Sequence, residues 1–202
     1  MYTAYQSLRE PATAAGALAR NSLDEALLRS IAAGDKGAMQ VLFQRHSARV
    51  YRFALRLIED AALAEDIVSE VFMEVWRGAH GFKAKSQVTT WLLAIARHKA
   101  SSALRRRPEA ALDDDIAADL VDPGDDPELL THQKDRGKII RMCLNRLSPP
   151  HREVIDLVYY HERSIDEAAR IVGVSKNTIK SRVMHARIQM AKLLSAASVD
   201  VL

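Results

Sequence analysis

The chain has 202 residues, 48% of them hydrophobic but only 5% aromatic, with a single cysteine and a formal net charge of +3. That length holds one or two small domains; the lone Cys143 excludes an internal disulfide framework and fits a reducing compartment, and no apolar run is long enough to span a bilayer. The mild charge conceals an asymmetry: residues 108–128 hold nine acids and no Lys or Arg, so the remainder carries +12, which suits a nucleic-acid partner.

In chain order, residues 1–21 are Ala-rich without a basic n-region or an adequate apolar stretch. They make a poor signal peptide and read as a flexible extension of a cytoplasmic protein. Ser22-Leu-Asp-Glu25 has the form of a capping box and predicts a helix that starts there, with Leu23, Ala26, Leu27 and Ile31 inward. Gly34 ends it, and Asp35 caps a second helix over roughly 36–58 that buries Leu42, Val50, Phe53, Ala54 and Leu57. Asp60 caps a third helix that ends at Gly78. Ile67, Val71 and Val75 form its core stripe, and Glu65, Asp66, Glu70 and Glu74 form an acidic stripe at helical spacing. On pattern alone the acidic stripe reads as a solvated face.

Residues 80–87 form a short polar loop with Phe82, Lys83 and Lys85, and Ser86 is expected to cap the next helix. That helix carries Trp91, Leu92, Ile95 and Leu104 among Arg97, Lys99, Arg105, Arg106 and Arg107. Rings for stacking beside cations for phosphate are a single-strand-binding combination; the alternative is that Phe82 and Trp91 are core residues. Pro108 stops the helix, and the acidic strap follows. Asp126-Pro127 is expected to open a helix running to about Leu147, with Ile140, Cys143, Leu144 and Leu147 inward. Cys143 there reads as a small buried hydrophobe. Ser148-Pro149 starts another helix.

The last two helices are the most informative. Ser164-Ile-Asp-Glu167 is a capping box, Gly173 supplies a turn, and Ser175 caps a final helix with Ile179, Val183 and Ala186 inward. Helix, tight Gly turn, helix is the DNA-binding helix-turn-helix pattern. Ser175, Lys176, Asn177 and Thr178 occupy the turn where a recognition helix meets base edges. Lys176 can donate to guanine and Asn177 can pair with adenine, while Lys180, Arg182 and Arg187 suit phosphates. A stand-alone helix-turn-helix regulator is the alternative reading, but it has no need of the acidic and basic-aromatic helices upstream. The seven His are scattered without metal-ligand spacing, and no nucleophile or phosphate-loop motif occurs, so neither catalysis nor a metal or cofactor is expected.

The ordered set of segments is more specific than any one of them. It comprises Asp35…Leu42, Ala64-Glu-Asp-Ile-Val-Ser-Glu-Val-Phe72…Trp76, Trp91-Leu…Ile95-Ala-Arg97, Leu147-Ser-Pro-Pro-His-Arg-Glu-Val-Ile155 and Thr178-Ile-Lys-Ser-Arg182…Ala186-Arg187. Over residues 22–194 the chain resembles the extracytoplasmic-function sigma factors of the sigma-70 family. The resemblance implies an all-α protein with two small helical domains: a second-region module at 22–107 and a fourth-region module at 128–195, joined by a flexible acidic linker at 108–127, with a tail at 196–202. It implies a dissociable subunit that directs RNA polymerase to promoters and assists melting of the −10 element. Glu65, Asp66, Ser69, Glu70, Met73 and Glu74 then match a polymerase docking surface. Phe82, Lys83, Lys85, Ser86, Trp91, Arg97, His98, Arg105 and Arg106 match the segment that holds the melted −10 strand. Ser175, Lys176, Asn177, Thr178, Lys180, Ser181, Arg182 and Arg187 match the −35 reader. Core polymerase, promoter DNA and an anti-sigma factor are the implied partners, with no membrane insertion. His98, Ser102 and Ser69 depart from the family's usual Asn, Asp and Gln, and the first two bear on −10 base preference.

Overall fold

The computed structural model describes residues 14–106 and 130–199, and every element there is helical. Residues 1–13, the acidic linker at 108–127 with Arg107 and the Asp126-Pro127 pair, and residues 200–202 lie outside the described residues. The first helix, α1, runs over Ala14–Ala32. Its start corrects the reading of Ser22 as a cap: the Ala- and Leu-rich run upstream has high helix propensity and carries the helix straight through Ser22. Residues 14–21 are therefore helix, not extension.

The inward face of α1 differs from expectation as well. Leu23 and Ala26 are exposed and Leu27 is half-buried, whereas Asp24, Leu28 and Ile31 are buried. Asp24 decides the phase. One oxygen meets Arg45 Nε at 2.9 Å and the other His46 Nε2 at 2.8 Å, and a buried carboxylate needs such partners.

The helix α2 spans Lys36–Ile58 and α3 spans Ala61–Gly78. Asp35 Oδ1 accepts from the amides of Gly37 and Ala38 at 2.8 and 3.1 Å, and Asp60 Oδ1 accepts from Leu63 at 3.0 Å, so both expected caps form. Leu42, Val50, Phe53 and Ala54 of α2 face Ile67, Val71, Phe72 and Val75 of α3 in one apolar cluster; Leu57 lies only half-buried at its edge. Full burial of each such side chain contributes about 1.5–3 kcal/mol. A 3-10 turn, Ala79–Gly81, leads to α4, Val88–Arg106, whose Val88, Leu92, Leu93 and Ala96 complete this core. The amide of Val88 donates to Asn21 Oδ1 at 2.9 Å; a side chain from α1 thus does the capping expected of Ser86.

The second module consists of α5 (Leu130–Asn145), α6 (Pro149–Ile155), α7 (Ile165–Val172) and α8 (Lys176–Val199). Pro149 sits in the first turn of α6, where its missing N–H costs nothing. Directly after α6 the chain widens into a π turn, Asp156–Tyr160. Cys143 is buried, as expected of a small hydrophobe. Leu147, Ile155 and Ala186 make a small cluster with Leu144, Met190 and Leu193. The helix α8 continues to Val199, past the expected module end at 195.

The two modules touch. The apolar cluster of α1–α4 runs on into Val154, Leu157, Ala168, Ala169, Ile171, Val172 and Ile179 without a break. The contact is made chiefly by α7 against α4, with α6 against α2.

Candidate nucleic-acid and polymerase interfaces

The helix-turn-helix forms as its residues dictate. Ser164 Oγ accepts from the Glu167 amide at 3.2 Å while Glu167 Oε2 accepts from the Ser164 amide at 2.9 Å, a reciprocal capping box. Gly173 takes a left-handed conformation, φ 74°, and its N–H donates to Ala169 O at 2.9 Å, ending α7. Ser175 Oγ accepts from the Thr178 amide at 3.1 Å and opens α8.

The first turns of α8 project into solvent. Ser175, Lys176, Asn177, Lys180, Ser181 and Arg187 are exposed, Thr178 and Arg182 are half-buried, and Ile179 and Ala186 are buried beneath them. Several of the polar groups have local partners: the Ser175 and Thr178 hydroxyls share a hydrogen bond of 2.8 Å, Ser181 Oγ donates to Thr178 O at 3.0 Å, and Lys176 Nζ forms an ion pair with Asp166 of α7. Both members of the latter pair are about half exposed, so a phosphate or base edge can displace the carboxylate at little cost.

The residues assigned to a −10 strand are placed differently. Phe82 and Trp91 are both half-buried, with ring centroids 5.1 Å apart, so part of each ring remains available for stacking. Between Lys83 and Lys85, both exposed, Ala84 sits at φ 51°. That is a strained value for a residue with a Cβ, of the kind held at functional loops. Ser86 is half-buried, and His98, Arg105 and Arg106 are exposed, with Arg105 donating to Ser102 Oγ at 3.0 Å. Arg97 is not free: its Nε donates to Glu153 Oε1 of α6 at 2.9 Å.

On α3 the six residues read as a docking surface are all exposed. The acidic stripe divides. Glu70 and Glu74 flank Lys99 of α4 at 3.4 and 3.1 Å, and these bonds raise the lysine's pKa. Glu65 and Asp66, at the other end, have no ion pair among the described residues. Beside the stripe lies an open apolar depression of about 350 Å³ lined by Met39, Phe43, Ser69, Phe72, Met73 and Trp76, with Arg77 at its rim. Phe43 meets Phe72 edge-on at 4.8 Å yet is 41% exposed, and Met73 is 52% exposed. Sequence reasoning missed Met39 and Phe43. The available signal was phase: an aromatic one position after Leu42 lies off the core stripe of α2 and has no reason to be apolar if it faces only water.

The junction of the modules is crowded with cations. His161 is buried, edge-on to Phe53 at 5.3 Å, with Asp156 Oδ2 at 3.2 Å. Burial, and then Arg56, Arg49, Arg163 and Arg52, push its pKa down to about 3, so the ring is neutral. Burial also lowers Arg49, with Arg163 next in effect. Arg56 pairs with Asp156 and lies 4.0 Å from the Tyr160 ring centroid. Among the described residues no group of three His, Cys, Asp or Glu is placed to hold a metal ion, and no helix is long and apolar enough to cross a membrane.

Comparison with known proteins supplies the class. Residues 42–108 match the family Sigma-70 region 2, and residues 137–190 match Sigma-70, region 4. The ECF RNA polymerase sigma factor SigK of Mycobacterium bovis (strain BCG / Pasteur 1173P2) is 31% identical over 175 residues, covering 80% of this chain and 88% of that protein. Sigma factor RpoE of Bartonella quintana, solved in complex with the anti-sigma factor NepR, superposes with a TM-score of 0.63 at 26% identity, over 77% of this chain and 96% of that one. CnrH, solved in complex with the cytosolic domain of CnrY, has the same fold: TM-score 0.63 at 22% identity, over 86% of this chain and 98% of that one. The chain belongs to the extracytoplasmic-function sigma factors of the sigma-70 family, the subunits that direct RNA polymerase to promoters.

Proposed function

We propose that promoter recognition is divided between the two modules, with 22–107 docking on core polymerase and holding the melted −10 strand, and 128–195 reading the −35 duplex. The exposed first turns of α8 carry this reading. Ser175, Lys176, Asn177, Lys180 and Ser181 present donors and acceptors together on a helix held rigidly by Gly173, Ile179 and Ala186. Phe82 and Trp91 provide stacking faces and Lys83, Lys85, His98, Arg105 and Arg106 provide donors and charge for an unpaired strand. Docking on polymerase uses Glu65, Asp66, Ser69, Glu70, Met73 and Glu74, and the apolar depression beside them extends the surface. Apolar anchors in such a pocket give most of an interface's affinity, while the acids set orientation and association rate.

The chain acts in the cytoplasm and by binding, not by catalysis. RpoE of Bartonella quintana was solved with an anti-sigma factor, and a partner of that class is proposed here, competing with polymerase for the α2–α3 surface.

Run-off transcription with purified core polymerase on promoter fragments tests the division. Lys176/Asn177/Lys180/Arg182 to Ala should abolish the −35 footprint. Glu65 and Asp66 to Lys should reduce polymerase binding with the duplex footprint of α8 intact. A footprint unchanged by the quadruple substitution would refute the −35 assignment.

A further inference from the structure

The face that α1 turns to the core carries Asn21, half-buried, and then Asp24, Leu28 and Ile31, all buried. Two of the four are polar, and each is bonded to a different neighbour. Asp24 ties α1 to α2 through Arg45 and His46. Asn21 ties α1 to α4. Its Oδ1 accepts from the Val88 amide at 2.9 Å, and its Nδ2 donates to Glu25 Oε1, one turn further along α1, at 2.7 Å. A backbone N–H can only donate and a carboxylate can only accept, so both ends of the Asn21 amide are fixed in direction.

Val88 opens the turn that carries Trp91. In that turn the Trp91 amide donates to Gln87 O at 3.1 Å, and the indole lies 5.1 Å from the Phe82 ring. Between the two rings the chain passes through Ala84 at φ 51°, a conformation that persists only where its surroundings hold it. Upstream, the Phe82 amide donates to the carbonyl of the buried Ala79 at 3.2 Å, and α1 packs against this 3-10 turn. The helix α1 thus braces both ends of the loop. Arg170 and Arg163 also bond the segment, at the Lys85 carbonyl and Gln87 Oε1, but from the second module. The Asn21 bond lies wholly within the first module and depends on nothing that the second one does.

We propose that Asn21 is a positioning residue for capture of the melted strand: it holds the first turn of α4, and with it Trp91, in place beside Phe82. The proposal rests on the reading of residues 82–91 as the strand-holding segment. It also gives the early start of α1 a use. A helix that began at Ser22 would leave Asn21 on a fraying end; from Ala14, the amide stands about two turns inside. A binding constellation must be held to within about 0.5 Å, and a frayed first turn of α4 would not hold Trp91 so closely.

The test uses the full chain with saturating core polymerase on a promoter fragment that this holoenzyme transcribes. Permanganate reactivity of the −10 thymines reads opening, and footprinting reads the −35 contact. Asn21→Leu keeps the branched shape and removes both bonds. It should slow opening about fivefold, the factor that one helix cap is worth, with polymerase affinity and the −35 footprint within about twofold of the parent. Asn21→Asp with Glu25→Gln keeps the acceptor for Val88 and reverses donor and acceptor between the two side chains. This pair should return opening to within about twofold of the parent. Asp35→Ala, which removes a cap from α2, separates lost stability from lost position: matched to Asn21→Leu by denaturant unfolding, it should open promoters as the parent does. The proposal is overturned if Asn21→Leu opens at the parental rate, if the reversed pair opens no faster than Asn21→Leu, or if Asp35→Ala slows opening as much. Trp91→Ala judges the reading beneath it. If that chain opens at the parental rate, the assignment of residues 82–91 fails and the role of Asn21 falls with it. If Trp91→Ala is slow and Asn21→Leu is not, the role of Asn21 alone is overturned.

Discussion

The two surfaces proposed to face DNA are built from similar residues and treated in opposite ways. On α8 the polar groups of the first turns lie in solvent, and the Lys176–Asp166 pair there is half exposed and readily displaced. On the N-terminal module, Arg97 is bound to Glu153, and the loop carbonyl of Lys85 is bound to Arg170. The difference lies in which carboxylates are near. Glu153 of α6 and Asp156 in the π turn after it face Arg97 and Arg56 of the first module, whereas α8 has no acid before Asp200. A helix without internal counter-ions keeps its cations for DNA; a helix docked against an acidic neighbour must exchange partners first.

The largest change should come from the buried end of the seam between the modules. Asp156→Ala takes from Arg56 and the buried His161 the carboxylate they share and should lower stability by about 3 kcal/mol, the cost of breaking a largely buried charged bond. Denaturant unfolding would show whether the two modules still melt together; if they do, with unchanged midpoint, the seam is not a stabilising contact.

Acidification should act at the same place. The folded-state pKa of His161 lies near 3, below the unfolded value of about 6.5. The folded state therefore binds fewer protons, and stability is full above that unfolded value and falls by about 1.4 kcal/mol per pH unit beneath it. Glu167 adds in the same direction. Burial opposes its charge, but the bonds from Thr90 and Ser164 and the Arg163 cation lower its pKa, so its contribution is lost as acid protonates it. His161→Gln should flatten the profile between pH 6.5 and 4.5, which unfolding at a series of pH values measures.

On the open surface, Lys176→Ala or Asn177→Ala should cost about 1–3 kcal/mol of −35 binding and relax preference at one base pair. Arg187→Ala, if it meets phosphate alone, should weaken all sequences alike and reduce the salt slope by about one. Ser164→Ala removes half of the capping box and should cost about 1 kcal/mol. Smallest of all, Lys99→Ala should change stability by less than about 1 kcal/mol, since its pairs with Glu70 and Glu74 are surface pairs. It should nonetheless alter polymerase affinity by leaving both acids free.

Much of this was legible in the residue order. The caps at Asp35, Asp60 and Ser164 and the turn at Gly173 are local features, and each formed as the residues implied. The core stripe of α3 was equally plain, because Ile67, Val71 and Val75 repeat at helical spacing. At Ser22 the same local reasoning failed. A capping-box string inside a run of strong helix formers has no reason to break the helix, and the phase of α1 was set from outside by Arg45 and His46. Ser86 failed for a similar reason, since the amide it was expected to satisfy is reached by Asn21, 67 residues away.

The sequence by itself determined the helices, the helix-turn-helix and the class of the protein, because propensity, capping and periodicity act within a few residues of one another. Only the tertiary structure decided that Arg97 is engaged, that Thr90, Gln87, Arg163 and Glu167 meet, and that Phe43 and Met73 share one depression. Those pairings join residues 30 to 77 positions apart along the chain. No periodicity encodes which acid finds which cation at such separations; the choice is made by packing, which brings α7 onto α4 and leaves the first turns of α8 in water.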